Sequence, residues 1–205
     1  ESLLPVDTQK FKKILVTGPN ANNQSIMGDW VFEQPEKNVS TILKGIKEEA
    51  PGAQINYVDV GWNMRALDSV KIDEAIQTAK SSDLAIVVVG EDSFRQHWKE
   101  KTCGENRDRM DITLWGKQDY LVESIYKTGV PTIIILVNGR PLATGWIAEN
   151  IPAIIEAWEP GSMGGKAIAE IIFGKVNPSG KLPITIPRHV GQISTVYNHK
   201  PSQFL

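Results

Sequence analysis

Short apolar runs alternate with amphipathic stretches along the chain. Five runs are rich in Val, Ile and Leu and have the length of strands: residues 12–18, 54–60, 84–90, 131–139 and 153–158. The third (LAIVVVG) and fourth (PTIIILVNG) are apolar at nearly every position. Since both alternating faces of these two runs are apolar, we predict that both faces of their sheet are covered.

Four further stretches carry apolar residues at helical spacing. They are residues 39–50, 71–82, 117–129 and 164–174, and the last two end in glycine. Strands that alternate with helices predict an α/β fold with a mostly parallel sheet and helices on both faces, a flavodoxin-like three-layer sandwich. We predict a single domain over residues 1–205, with residues 180–187 (GKLPITIP) extended near its end.

One connection departs from this pattern because it is long and charged. Residues 90–111 read GEDSFRQHWKEKTCGENRDRMD and follow the third strand run. Most connections in compact domains have only about 4–6 residues. In open parallel sheets, ligands bind outside the carboxyl ends of the strands. The sequence therefore predicts functional residues in this loop.

Composition excludes several classes of function. The net charge is −2 and basic residues are scattered among acids, which argues against nucleic acid as a partner. No apolar run has the length of a membrane span, so no membrane partner is expected. Cys103 is the only cysteine, which leaves no internal disulfide, and a catalytic pair of Cys103 with His97 has little support from their spacing.

No cofactor or metal site is expected either. The turn GPNANN at residues 18–23 lacks the spacing of a dinucleotide fingerprint. It is better explained as a turn that needs the backbone freedom of Gly18. The three histidines show no paired spacing of metal ligands.

Several motifs, in this order, resemble glycoside hydrolase family 3. They are GPNA…GDW, VVVGE, GENRDRMDITL, ILVNGRPL, the block EAWEPGSMGGKAIAEIIFGKVNPSGKLPITIPRHVGQ and YNHKPS. The similarity extends from Leu3 to Ser202 and is most specific between Gly161 and Gln192. More narrowly, the chain resembles the second, α/β-sandwich domain of the family's β-glucosidases. In that family a TIM-like barrel comes first and carries the catalytic aspartate, and this chain contains no such barrel.

The resemblance implies a retaining, exo-acting β-glycosidase of the β-glucosidase type. Its substrate would be a terminal β-linked sugar of an oligosaccharide or glycoside, and its partner the N-terminal barrel domain of the same enzyme. A β-xylosidase of the same family is an alternative, because Glu159 stands where the family often has an aromatic residue. A non-catalytic small-ligand or carbohydrate-binding module is a further alternative. A carbohydrate role favours a periplasmic or secreted location, although no signal peptide is visible.

The resemblance also assigns the acid/base residue. The family pattern Gly-Glu-x-x-x-Arg-x-Asp-(Ile/Leu) matches Gly104, Glu105, Arg109, Asp111 and Ile112. Glycoside hydrolysis requires two carboxyl groups that flank the scissile bond. The match assigns the acid/base role to Glu105 and leaves the nucleophile to the barrel.

Trp98, Glu91 and Arg109 are predicted to contribute to substrate binding. Trp98 can stack on a sugar ring or pack the loop onto its own domain. Glu91 directly follows a strand, so an anchoring role is the more expected one, and it is the second candidate for the acid. Arg140 is expected to pair with a loop carboxylate or to face the partner domain. The triplet Gly28-Asp29-Trp30 belongs to a second-domain motif and is not the nucleophile segment.

The remaining charges of the loop are expected to fix its shape. Arg107 and Arg109 are predicted to pair with Asp108 and Asp111, so that Glu105 projects from the loop. Since the loop has few apolar residues, residues 91–116 are expected to be poorly ordered without the barrel. The isolated chain is expected to be inactive, because one of the two carboxylates is missing.

Overall fold

The computed structural model describes residues 3–192, so the tail motif at residues 197–202 lies outside the described residues. Within this range, five parallel strands form one sheet in the order β2-β1-β3-β4-β5. The strands are β1 (Lys13–Thr17), β2 (Gln54–Val58), β3 (Leu84–Gly90), β4 (Thr132–Val137) and β5 (Ala153–Glu156). The α-helices are α1 (Ile42–Glu49), α2 (Ser69–Lys80), α3 (Gln118–Tyr126), α4 (Gly145–Asn150) and α5 (Gly164–Ile172).

The alternation of side chains along the strands divides the apolar core into two layers. Ile14 and Val16 of β1 pack on one face with Ile42 of α1 and Ile168 of α5. Leu15, the residue between them, belongs to the core on the opposite face, which α2, α3 and α4 cover. The three central strands are therefore buried on both sides, and the predicted three-layer α/β sandwich is confirmed.

Local sequence signals account for the start of two helices. The Thr41 hydroxyl accepts a hydrogen bond from the backbone N–H of Lys44 at the start of α1. The Asp68 carboxylate accepts from the N–H groups of Val70 and Lys71 at the start of α2. Such side-chain caps satisfy donors that the first helical turn leaves without partners.

The predicted elements agree with the structure except near the chain's end and after β4. All five strands and the four predicted helices are present, each within a few residues of its expected bounds. Helix α4 was not predicted, because its six residues lie in a segment with glycine and proline that is typical of a turn. Residues 180–187 form no strand. Within residues 3–192, no helix is long and apolar enough to cross a bilayer.

Two glycines allow α1 and α5 to pack closely. A Cβ atom added at Gly165 would lie 1.9 Å from the carbonyl oxygen of Thr41, and one added at Gly45 would lie 2.1 Å from the carbonyl oxygen of Gly165. Both obstacles are backbone atoms, which cannot rotate away as a flexible side chain can. A methyl group at either position must therefore separate the helices.

We predict that Gly165→Ala destabilises the chain by about 2 kcal/mol or more, as overpacking of a dense core does. Gly52→Ala is the matched control, because an added Cβ meets nothing within 4 Å there. Urea denaturation followed by circular dichroism gives both values. Equal stability of the two variants would contradict this account of the contact between α1 and α5.

Candidate active site

The long loop leaves the carboxyl end of β3, a central strand that lies between β1 and β4. It runs from Glu91 to Lys117 and contains one turn of 3-10 helix at Arg95–His97. The connection from β1 to α1 leaves the neighbouring strand end and packs against it. Helix α1 covers one face of the sheet and α3 the other. The connections that follow β1 and β3 therefore lead to helices on opposite faces of the sheet. The loop lies at this point, which is the usual ligand position in this topology.

A buried ion-pair cluster holds the base of the loop. The carboxylate of Glu91 is buried and accepts a hydrogen bond of 2.9 Å from Arg109 Nη1. Its other oxygen lies 3.3 Å from Arg140 Nε. Burial raises the pKa of Glu91 above its usual value, although Arg140 and Arg109 oppose that shift. This geometry favours the anchoring role for Glu91 and confirms the expected pairing of Arg140 with a loop carboxylate.

A second set of contacts closes the first half of the loop on itself. The backbone N–H of Thr102 donates to the carbonyl of Asp92, and the N–H of Asp92 donates to the Thr102 hydroxyl. The Asp92 carboxylate bonds the N–H of Phe94 and lies 2.6 Å from His97 Nδ1. The His97 ring in turn stacks on Trp62, with 3.9 Å between the ring centroids. Polar contacts thus fold this part of the loop onto the domain.

The third set of contacts surrounds Glu105. Asp29 Oδ2 accepts hydrogen bonds from the backbone N–H of Glu105 (2.6 Å) and from Lys101 Nζ (2.9 Å). The side chain of Lys101 is 0% exposed. Arg95 Nη2 donates to Glu105 Oε2 over 2.9 Å, and Arg95 Nε lies 3.4 Å from Asp29 Oδ1. The carboxylate of Glu105 nevertheless remains accessible, because its side chain is 44% exposed.

The balance of charge keeps Asp29 ionised. Burial by itself would raise the pKa of Asp29. The hydrogen bonds from Lys101 and from the Glu105 backbone, together with the charges of Lys101 and Arg95, outweigh this effect and lower the pKa below its usual value. A carboxylate held in this way is an anchor rather than a proton donor.

Two exposed aromatic rings lie beside Glu105. Trp30 is 75% exposed, and the Arg95 guanidinium covers its ring at 3.9 Å. Trp98 is 41% exposed and has the cations of Arg95, Lys101 and Arg107 within about 4.5–5.4 Å of its ring. A flat, partly exposed ring next to a carboxyl group is a suitable surface for a sugar.

The structure corrects the expected ion pairs within the loop. Arg107 donates to the backbone carbonyls of Lys101 and Trp98, and Arg109 binds Glu91, so neither arginine pairs with Asp108 or Asp111. The Asp111 carboxylate instead caps the N–H of Thr113.

The first half of the loop is also less exposed than its composition implied. Its buried polar residues are Glu91, Asp92, Ser93, Lys101 and Thr102. Hydrogen bonds and ion pairs of buried polar groups therefore supplement the few apolar residues of the loop, and its poor order without the barrel stays a prediction.

Sequence reasoning missed the residues that support Glu105. The triplet Gly28-Asp29-Trp30 was assigned only to a second-domain motif, and no role was predicted for Lys101 or Arg95. The signal in the sequence is the set of three Gly-acid pairs, Gly28-Asp29, Gly90-Glu91 and Gly104-Glu105, of which the first and third meet in the structure. Cys103 is buried, and burial raises the pKa of its thiol, so it is unsuited to act as a nucleophile.

A cavity of ≈ 420 Å³ adjoins the loop. Its lining includes Asn23, Tyr57, Asp59, Trp62 and His97. Hydrogen-bonding groups next to aromatic rings are common in small-ligand sites. Among residues 3–192, no group of three or more Cys, His, Asp or Glu side chains is placed to hold a metal ion.

Comparison with solved structures agrees with the fold. The crystal structure of the β-glucosidase from Listeria innocua in complex with isofagomine superposes with a TM-score of 0.82 at 30% sequence identity. The match covers 96% of this chain and 26% of that enzyme.

Comparison with characterised sequences gives the same relationship. A β-xylosidase of Formosa agariphila is 41% identical over 98% of this chain, and the periplasmic β-glucosidase of Salmonella typhimurium is 37% identical over 95% of it. The chain spans about a quarter of the length of these relatives, 27% and 28%. The family model for the glycosyl hydrolase family 3 C-terminal domain matches residues 1–204. The chain therefore belongs to the C-terminal domain of glycoside hydrolase family 3.

Proposed function

We propose that this chain is the second domain of a retaining, exo-acting β-glycosidase and that Glu105 is its acid/base residue. The observation that carries the proposal is the environment of Glu105. Its carboxylate is accessible at the carboxyl edge of the sheet, while its backbone is fixed by Asp29. Neither Glu91 nor Asp29 combines these properties, because both are buried in ion pairs.

The chemistry divides between two domains. In a retaining enzyme the nucleophile and the acid/base lie about 5–5.5 Å apart, on opposite sides of the glycosidic bond. Glu105 first protonates the leaving oxygen and then, as a carboxylate, takes a proton from the water that attacks the glycosyl-enzyme. The N-terminal barrel domain supplies the nucleophile. A loop that extends from the sheet edge with an exposed acid suits a site shared with a second domain.

The aromatic rings beside Glu105 have a role in this proposal. Trp30 and Trp98 provide flat surfaces on which sugar rings of the substrate can stack. Arg95 joins both rings to the acid, because it lies against each of them and bonds the Glu105 carboxylate. Glu91 and Arg109 contribute to substrate binding indirectly, by holding the base of the loop.

The sugar is proposed to be glucose, with xylose as the second candidate. The relatives named above include a β-xylosidase and a β-glucosidase of comparable identity to this chain. The cavity beside Trp62 is the observation that favours the non-catalytic alternative, a small-ligand or carbohydrate-binding module.

We predict that in the full-length enzyme Glu105→Ala slows β-glycosides with poor leaving groups by about 10²–10⁴-fold, the usual contribution of general acid catalysis. Substrates with activated leaving groups should be slowed much less, because these groups need little protonation. Azide should partly restore turnover of the activated substrates, since it attacks the glycosyl-enzyme without a base. Steady-state kinetics over a series of aryl glycosides measures all three effects.

Glu91→Gln serves as the comparison variant. It should lower thermal stability, because Glu91 anchors the loop, and its leaving-group dependence should be weaker than that of Glu105→Ala, because the acid itself is still present. If Glu105→Ala slows all leaving groups equally and azide has no effect, the acid is another residue. A full-length protein that hydrolyses no glycoside would favour the binding-module alternative.

We predict that the purified chain alone does not hydrolyse nitrophenyl β-glucoside or β-xyloside. Without the second carboxylate, no glycosyl-enzyme can form. The release of nitrophenol is compared with that from the Glu105→Gln chain. A rate above this control would show that the described domain carries a complete site of its own.

We predict a higher kcat/KM for nitrophenyl β-glucoside than for the β-xyloside in the full-length enzyme. The two substrates share a leaving group, so the ratio reports recognition of the sugar. A higher value for the xyloside would assign the enzyme to the β-xylosidases without affecting the role of Glu105.

A further inference from the structure

Two Gly-acid pairs, distant in sequence, interlock beside the proposed acid. Gly28-Asp29 lies in the loop after β1, and Gly104-Glu105 lies in the loop after β3. Asp29 Oδ2 accepts the backbone N–H of Glu105 itself, so the contact is made to the residue that carries the acid. The position of the Glu105 backbone therefore depends on a side chain from another loop.

Each of the two glycines has a carboxylate oxygen close to the position that a Cβ atom would occupy. A Cβ atom at Gly104 would lie 2.6 Å from Asp29 Oδ2, and one at Gly28 would lie 2.8 Å from Glu159 Oε2. Both residues also have φ near +90°, a conformation that favours glycine. Gly104 thus leaves room for the Asp29 carboxylate next to the Glu105 backbone, and Gly28 leaves room for Glu159 next to Asp29.

The other contacts of Asp29 extend the same restraint to the Glu105 side chain. Arg95 bridges the two acids, since it lies 3.4 Å from Asp29 Oδ1 and 2.9 Å from Glu105 Oε2. Lys101, whose side chain is 0% exposed, holds Asp29 from the interior. One carboxylate therefore fixes the main chain of Glu105 directly and its side chain through Arg95.

We propose that Asp29 is a positioning residue for general acid/base catalysis, which holds Glu105 at the place where it meets the glycosidic oxygen. The proposal rests on the acid/base role of Glu105. Asp29 is buried in its ion pair with Lys101, so it is proposed to act through the backbone of Glu105 and through Arg95. Its loss should therefore impair the steps that need Glu105 and spare those that do not.

The test uses Asp29→Asn in the full-length enzyme. The amide has the same shape and retains an acceptor, but it loses the charge that binds Lys101 and Arg95. We expect kcat for aryl glycosides with poor leaving groups to fall by about 10²-fold, the effect of a displacement of the order of 1 Å. For activated leaving groups we expect a change of less than about threefold in the glycosylation step, since these groups depend little on general acid catalysis.

Asp108→Asn is the matched control. Asp108 is an exposed carboxylate of the same loop, and it has no hydrogen bond or ion pair to the residues that the structure describes. The same substitution there should leave both rates unchanged. A similar selective loss in Asp108→Asn would overturn the proposal, because loss of any loop charge would then suffice.

The Glu105→Ala variant separates this inference from the proposed function. If Glu105→Ala shows leaving-group dependence and Asp29→Asn slows all substrates equally, or none, Asp29 is not a positioning residue. If Glu105→Ala itself lacks that dependence, the proposed function fails, and this inference fails with it.

Arg95→Met keeps the proposal testable if Asp29→Asn does not fold. The side chain of Arg95 is 28% exposed, so its removal should be tolerated better than the loss of a buried charge. It should produce the same selective loss with poor leaving groups to a smaller extent, with partial restoration of activated substrates by azide. Uniform slowing in Arg95→Met, without restoration by azide, would overturn the proposal.

Discussion

The buried ion pair between Lys101 and Asp29 is the contact on which the arrangement of the loop depends. An ammonium group without solvent access is costly unless it is paired, and removal of one partner from such a pair costs about 3–5 kcal/mol. The partner of Lys101 is Asp29, because Lys101 Nζ donates a hydrogen bond of 2.9 Å to Asp29 Oδ2. This pair joins the loop after β1 to the loop after β3. The backbone N–H of Glu105 donates to the same carboxylate oxygen, so the position of Glu105 depends on the position of this ion pair.

The structure separates rigid support from exposed chemistry. The sheet is buried on both faces, and the cluster of Glu91, Arg109 and Arg140 fastens the loop to its carboxyl edge. Above this base, Glu105 and Trp30 remain accessible. The acid/base role proposed for Glu105 requires a carboxyl group that is held in place without being enclosed, because it would have to meet a substrate and a nucleophile from another domain. Charge pairs suit this task, since they order a loop that stays open to solvent on its outer side.

Sequence patterns predicted the fold well, because the burial of each strand and helix face determines which of its residues are apolar. Strands covered on both faces must be apolar throughout, so β3 and β4 were recognisable from composition alone. Helix α4 escaped prediction, since six residues between a proline and a strand show no helical period. Glu105 was predicted as the acid/base by resemblance to a family pattern, whereas residue spacing left several acids of the loop equivalent. The predicted ion pairs of the loop were wrong. Asp108 and Asp111 lie near Arg107 and Arg109 in sequence but are not their partners.

The three-layer α/β architecture and the family can be predicted from the chain alone, because hydrophobic period and ordered motifs are local properties of the sequence. Which charged side chains meet is known from the folded structure. The contact of Asp29 with Glu105 spans 76 residues and that with Lys101 spans 72. No local preference encodes such contacts. They exist because parallel strands place the loops after β1 and β3 side by side, and because the glycine at position 104 leaves room for the Asp29 carboxylate.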